Sequence, residues 1–288
     1  MKIEQATEVA SKAIKQLSQA LESGQSGALK LYLGAMARFH RYSWHNVMLI
    51  ATQKPAATHV AGFHAWHKLG RFVKKGEKGI MILAPVVPHR AENAEPAETD
   101  GSSAGVGFRA AYVFDISQTD GRELPEIGGV SGDPRDYRER LGKFVAAQGI
   151  ALEYSEAIAP ARGVSSGGAI TLFPGLSPAE ELATLAHELA HEMMHRAGRR
   201  TSTTQCIRET EAEAVAFVVC SAIGLETGTA AQDYIGLYGG DAQLLAESLQ
   251  YVQQASSQIL NAIGQEGVSE WLKSAVSEFD QTTLSTSG

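Results

Sequence analysis

His187 and His191 stand four residues apart with Glu188 directly after the first, giving the pattern His-Glu-x-x-His within residues 184–195. On a helix, residues four apart lie one turn above each other. Both imidazoles then aim at one point, which suits a tetrahedral divalent cation. Glu188 would face the open coordination position and serve as general base toward the water held there, the arrangement of zinc hydrolases. Short patterns recur by chance, but the histidine distribution argues against that here. Of nine histidines, only His187, His191 and His195 lie beyond residue 90, at i, i+4 and i+8. A buried core histidine is the plain alternative for an isolated residue, and it fits this glutamate-interleaved cluster poorly.

The window holds a second, overlapping register, His191-Glu192-Met193-Met194-His195. The first is preferred because Leu185, Leu189 and Met193 form an apolar stripe that leaves His187 and His191 beside it. Arg196 would also oppose a dication in the second register. His195 is then expected to support the ligands without touching the ion. Two histidines do not complete a site, and no later histidine exists, so an acid must be the third ligand. Residues 208–219 read as a helix with Ala212, Val215, Ala216 and Val219 buried. Glu209 is the expected ligand, and Glu213, one turn on, is expected to orient a ligating histidine. Glu211 points elsewhere and is the weaker candidate. An acidic helix start favoured by the macrodipole is the alternative reading. One Zn2+ per chain is the expected cofactor, with Mn2+ as another divalent possibility.

These side chains need elements to carry them. Ser177 as N-cap, Pro178, Glu180 and Glu181 predict the start of the motif helix, and Gly198 its end. The strand expected at 168–174 would be an exposed edge that aligns an extended substrate, because Pro174 ends it. A helix is expected over 135–148, and further helices beyond Gly224 carry Leu244, Leu249, Val252, Ile259, Ile263, Trp271 and Leu272. No oxyanion donor emerges; Tyr234 and Tyr238 are the nearest guesses.

The net charge of −7 hides an asymmetry, since residues 1–90 carry 13 Lys+Arg against 4 Asp+Glu. Such a split suggests two modules, one with a polyanionic partner. Two helices are expected over residues 1–40, a short one capped by Ser43, another around 63–68 carrying Trp66, and strand, basic turn and strand over 71–83. Single-stranded nucleic acid is held by a cationic groove with aromatic faces on which bases stack. The candidates are Arg41, Tyr42, Trp44, Asn46, Trp66, Lys68, Arg71, Lys74, Lys75 and Lys78, with Phe63 nearby. Core packing is the alternative for the aromatics, and a solvated face for the lysines. Residues 90–107 read as a flexible loop at the tip of a hairpin made by 80–87 and 106–116. A DNA-binding domain over 1–128 and a second domain over 129–288 follow, joined near 129–134.

At 288 residues the chain allows one large or two ordinary domains. Two cysteines give no disulfide framework, which favours the cytoplasm. No run of 18 apolar residues is found. The start reads as an amphipathic helix (Val9, Ala13, Leu17, Leu21) rather than a secretory leader, so no membrane partner is expected.

Six ordered segments resemble the ArdC antirestriction proteins of plasmids and mobile elements. They are Arg-Tyr-Ser-Trp-His-Asn at 41–46, Gly-Phe-His-Ala-Trp at 62–66, Val-Lys-Lys-Gly-Glu-Lys-Gly at 73–79, Val-Phe-Asp-Ile-Ser-Gln-Thr at 113–119, His-Glu-Leu-Ala-His at 187–191, and Glu-Ala-Glu-Ala-Val-Ala at 211–216. The resemblance implies an α+β protein of two domains. A small mixed α/β single-stranded-DNA-binding domain, related to the primase accessory protein TraC, would precede a mainly helical zincin-like metallopeptidase domain with a short sheet. It also implies protection of incoming DNA from restriction during conjugation, with a restriction enzyme or another protein as substrate. The peptidase half is similar to the IrrE and ImmA regulators, in which a later glutamate completes the site, and Glu209 falls where that ligand would lie. Glu192-Met193-Met194 departs from the aromatic-leaning segment expected there. Two rival readings remain: a non-catalytic DNA-coating or restriction-enzyme-blocking protein with a structural or idle metal, and a protease that cleaves a transcriptional repressor.

Overall fold

The computed structural model describes residues 3–23, 26–86, 107–122, 134–225 and 241–264. Most of the expected linker at 129–134 and of the expected loop at 90–107, and Tyr234, Tyr238, Trp271 and Leu272, lie outside them. The amphipathic start forms helix α1 (Ile3–Glu22), followed by α2 (Ser26–Arg38) and α3 (Trp44–Gln53). Ser43 caps α3 by accepting from the Asn46 amide. β1 (Val60–Gly62), α4 (Phe63–Lys68), β2 (Arg71–Val73), β3 (Ile80–Val86), β4 (Gly107–Asp115) and β5 (Thr119–Gly121) complete the basic half. β3 and β4 pair antiparallel from Ile80 with Val113 to Val86 with Gly107, the hairpin expected around residues 80–116. β2 and β3 both form but do not share a sheet. β2 pairs with β5, and β3 lies at the edge of a β1-β4-β3 sheet.

An open edge leaves main-chain groups without partners. Here α3 supplies them. The Asn46 amide donates to Leu83 O at 2.8 Å and accepts from Leu83 N at 2.8 Å. Gln53 repeats the pattern on Met81, both distances being 2.9 Å.

The second half contains α5 (Pro134–Ala147), β6 (Ala151–Tyr154), β7 (Gly163–Ser165), β8 (Ala169–Leu172), α6 (Pro178–Met194), α7 (Ala197–Ser202), α8 (Gln205–Ala222) and α9 (Ala242–Ile263). Its sheet has the order β6-β8-β7. The strand expected to be the exposed edge is therefore the centre, because β7 adds to its far side, antiparallel to it. The exposed edge beside α6 is β7. α6 begins as predicted, with Ser177 and Glu180 in a reciprocal capping box and Pro178 at its first position. It ends at Met194 rather than near Gly198, which lies inside α7, because the His195 ring turns inward and buries against α8.

The fold is mixed α/β, with helices dominant and the sheets small. α2 packs on α8, and α8 packs on α6 and α9. One apolar core runs from Ile14 and Leu33 through Leu189 and Val215 to Ile259, so it is continuous across both halves of the chain.

Candidate metal centre and nucleic-acid interface

α6 presents His187 and His191 toward Glu209 in the first turns of α8. His187 Nε2 lies 3.2 Å from His191 Nε2 and 3.4 Å from Glu209 Oε2, and His191 Nε2 lies 3.5 Å from the same oxygen. Ligands about 2.0–2.1 Å from a tetrahedral ion stand about 3.3 Å apart. The triangle therefore fits a divalent cation bound by two nitrogens and one oxygen. Among the described residues this is the cluster of donors able to hold such an ion. Glu213 Oε2 lies 3.5 Å from His187 Nδ1, on the other side of that ring.

Burial alone would lower both histidine pKa values. For His187 the carboxylates of Glu209 and Glu213 outweigh burial and raise it to about 9. His191 stays depressed at about 4, held there by burial and by its neighbour His187. Hydrogen bonds from His187 and the charge of both imidazoles hold Glu209 below the usual carboxylate range. Glu188 is mostly buried, and that burial raises its carboxyl above the usual range despite His187. The Ser165 backbone N–H donates to it. A Cβ at Gly163 would sit 2.8 Å from Glu188 Cγ and 2.7 Å from Thr184 Cγ2, so only glycine lets β7 approach α6 this closely.

Behind the triad lies a buried polar chain. His191 Nδ1 is 2.9 Å from His195 Nδ1, and His195 Nε2 is 2.8 Å from Glu211 Oε2. With the proton on His195 Nε2 directed at Glu211, its Nδ1 accepts from His191 Nδ1–H. This leaves the His191 Nε2 lone pair facing the cation position. Glu211 is 0% exposed, receives both guanidinium ends of Arg199 at 2.7 Å, and accepts from Ser248 of α9. Glu211 does point away from the triad, as expected, but its role as buried anchor was not foreseen. Glu192, the acid of the second register, also turns from the triad. It accepts from Ser165 Oγ (2.7 Å), Gly167 N (2.7 Å), Gly168 N (2.8 Å) and Arg196 (2.8 Å), which pins the β7–β8 turn to α6.

The nucleic-acid candidates divide. Trp66 is 1% exposed with its indole N–H donated to Phe114 O, so no base can stack on it; packing against the β-sheet claims it instead. Trp44, the first residue of α3, is buried, its carbonyl accepting from the Tyr32 hydroxyl of α2, and Asn46 is committed to Leu83. Arg71 is likewise taken up, bonding Thr119 and Arg122 O across the β2–β5 pair. Arg41 and Tyr42 are half-buried and line a cavity of about 340 Å³ beside β1 and β3. Lys68, Lys74, Lys75 and Lys78 are exposed, Lys74 reaching Ser117 O at 3.1 Å. Exposed aromatics of this half include Phe63 at 51% and Phe72 at 55% exposure, besides Phe108 and Tyr112, and the Phe72 ring is edge-on to His67 at 5.0 Å. Phe63 and His67 are one helical turn apart on α4, so these rings adjoin the basic turn. On β2 the exposed Phe72 lies between half-buried Arg71 and Val73.

Residues 3–114 match the family model of the N-terminal domain of anti-restriction factor ArdC. An uncharacterized protein of Bacillus anthracis, pXO2-81, is 24% identical over 272 aligned residues, covering 79% of this chain and 46% of the relative. The chain thus spans about half the length of that relative. The Mn(II)-bound crystal structure of the antirestriction ArdC protein from the R388 plasmid aligns with a TM-score of 0.46 at 22% identity, covering 82% of this chain and 98% of that one. Its metal-free form gives 0.44 at 21%, covering 81% and 85%. Among the described residues no helix is long and apolar enough to cross a membrane. Residues 3–114 thus form a domain of the ArdC N-terminal family, the part of the chain for which the family is shown.

Proposed function

We propose that this chain is an antirestriction-type protein, acting in the cytoplasm, whose residues 1–128 bind single-stranded DNA and whose residues 129–288 carry a metal-dependent peptidase site. The observation that carries the second part is the triangle of His187, His191 and Glu209, with Glu188 beside it. A bound Zn2+, or Mn2+ in its place, would acidify a water and polarise a peptide carbonyl. His187, His191 and Glu209 would supply three protein ligands, one fewer than the four that close a structural site. Glu188, raised by burial, would accept a water proton at its carboxylate, which the Ser165 N–H keeps oriented. Glu213 holds the His187 ring, and His195 with Glu211 holds the His191 ring. For the first part, the exposed Lys74-Lys75-Gly76-Glu77-Lys78 turn offers backbone contacts, and Phe72 and Phe63 offer stacking faces.

Zinc-loaded protein incubated with restriction enzymes and with a mixed peptide library, products read by mass spectrometry, tests the hydrolytic reading. Cleavage is expected from the wild type and not from Glu188→Gln, with one metal per chain retained in both. A metal bound by four protein ligands and no cleavage of either substrate set would instead support the DNA-coating, restriction-enzyme-blocking reading.

A further inference from the structure

The cavity that opens on His187, Glu188, His191 and Glu209, about 350 Å³, is also lined by Arg200 and Arg208. Arg208 immediately precedes the candidate ligand Glu209 on α8. Its Nη1 donates to the carbonyls of Arg200 and Thr203, which ties the end of α7 to the start of α8 and fixes the guanidinium at the cavity wall. Four other arginines of this half, Arg138, Arg162, Arg196 and Arg199, each pair with a glutamate. Neither Arg200 nor Arg208 has a carboxylate partner among the described residues. The acids of this cavity are Glu188 and Glu209, so with a dication held by His187, His191 and Glu209 the two guanidinium groups would give it an excess of positive charge. A second cavity, about 630 Å³, opens on the opposite side of His187. There Arg162 is already paired with Glu180 at 3.3 Å, Glu213 adds a negative charge, and Ala183, Ala216 and Phe217 make an apolar wall. The site is therefore electrostatically one-sided. β7, a strand edge that can align a polypeptide, borders both cavities through Gly163.

We propose that the cavity walled by Arg200 and Arg208 is a subsite for an acidic side chain of the substrate, so that the cut falls next to an aspartate or glutamate. This rests on the metal-dependent reading of the same site and adds the substrate class to it. Arg208, anchored, sets the position of the carboxylate, and Arg200, exposed, closes over it. Charge-assisted hydrogen bonds to a guanidinium pair favour a carboxylate over a neutral or cationic group.

The test needs no turnover. Three hydroxamates of equal length, ending in a carboxylate, a methyl group or an ammonium, are titrated into the zinc-loaded full chain. The hydroxamate anchors each at the metal, so the arm reports on the neighbouring cavities. The carboxylate arm is expected to bind about tenfold tighter than the methyl arm at low salt, the advantage shrinking at high salt. Arg200→Glu, at an exposed position, should abolish or invert the order, and Arg208→Gln should weaken it. Equal affinity for all three arms, with binding still lost on chelation, overturns the subsite and leaves the metal site standing. A carboxylate preference untouched by both substitutions also overturns it. Failure of all three arms to bind in a metal-dependent way removes the metal site and the subsite together.

Discussion

Metal uptake should release close to one proton per ion at pH 7, and that proton comes from His187. Its two carboxylate neighbours, Glu209 and Glu213, hold its pKa at about 9 despite burial. In the metal-free protein at pH 7 about 99% of His187 is therefore protonated. His191, at about 4, is already neutral and contributes nothing. A ligand must be deprotonated to bind, so apparent affinity should rise about tenfold per pH unit from about pH 7 and flatten near pH 9, roughly a hundredfold in all. Glu213→Gln removes one of the three raising carboxylates (Glu209, Glu213 and Glu188), so the plateau should begin at lower pH while the limiting affinity falls only modestly. Calorimetric titration of Zn2+ in buffers of different ionisation enthalpy counts the proton directly. An affinity flat over that window, or no proton released at pH 7, would refute the idea that His187 is held charged by its carboxylate neighbours. It would also leave the assignment of Glu209 and Glu213 around that ring without support.

Further expectations concern the groups around the triad and the DNA face. Glu211→Ala leaves Arg199 buried without its partner and should destabilise the fold by about 3–5 kcal/mol, read as a lowered Tm. In the fraction that folds, freeing His195 should cost about 10–100-fold in metal affinity. Glu211 has a depressed pKa through Arg199, His195 and Ser248 although burial opposes the shift. Its stabilising effect is thus present above the unfolded carboxylate pKa and is lost as pH falls through the lower folded value. Glu192→Ala should accelerate hydrogen exchange at the Gly167 and Gly168 amides while α6 stays protected, and unchanged exchange would mean that the clamp does not hold the β7–β8 turn. Replacing Lys74, Lys75 and Lys78 together should reduce the salt slope of single-stranded DNA binding by about 2, that is 0.7 for each phosphate contact. Phe72→Ala should weaken that binding by about 1–3 kcal/mol with Tm unchanged, and equal binding of single and double strands would count against the stacking face.

What the chain made legible follows from which forces act locally. The α6 start could be read because Ser177, Pro178 and Glu180 act on their own backbone, and the pairing of His187 with His191 because helical period alone sets where the two point. The β3–β4 hairpin was likewise readable from two apolar runs flanking a polar stretch. Distant partners decided the rest. β7 has only three residues and no alternation to notice, so β8 was mistaken for the edge. Trp66 sits on a six-residue helix too short to show a buried face, and only Phe114 O across the sheet claims its indole. Glu211 looks like one acid among several in its run, and its burial depends on Arg199 and on Ser248, 37 residues away. The early end of α6 has the same origin, since His195 turns inward to meet that carboxylate.

Anomalous diffraction at the metal edge from crystals of the zinc-loaded full chain tests the central claim most directly. One peak per chain is expected, within about 2.0–2.2 Å of His187 Nε2, His191 Nε2 and a Glu209 oxygen, with Glu188 near the metal but not bound to it. A peak coordinated instead by His191 and His195, or zinc bound without Glu209, would contradict the account.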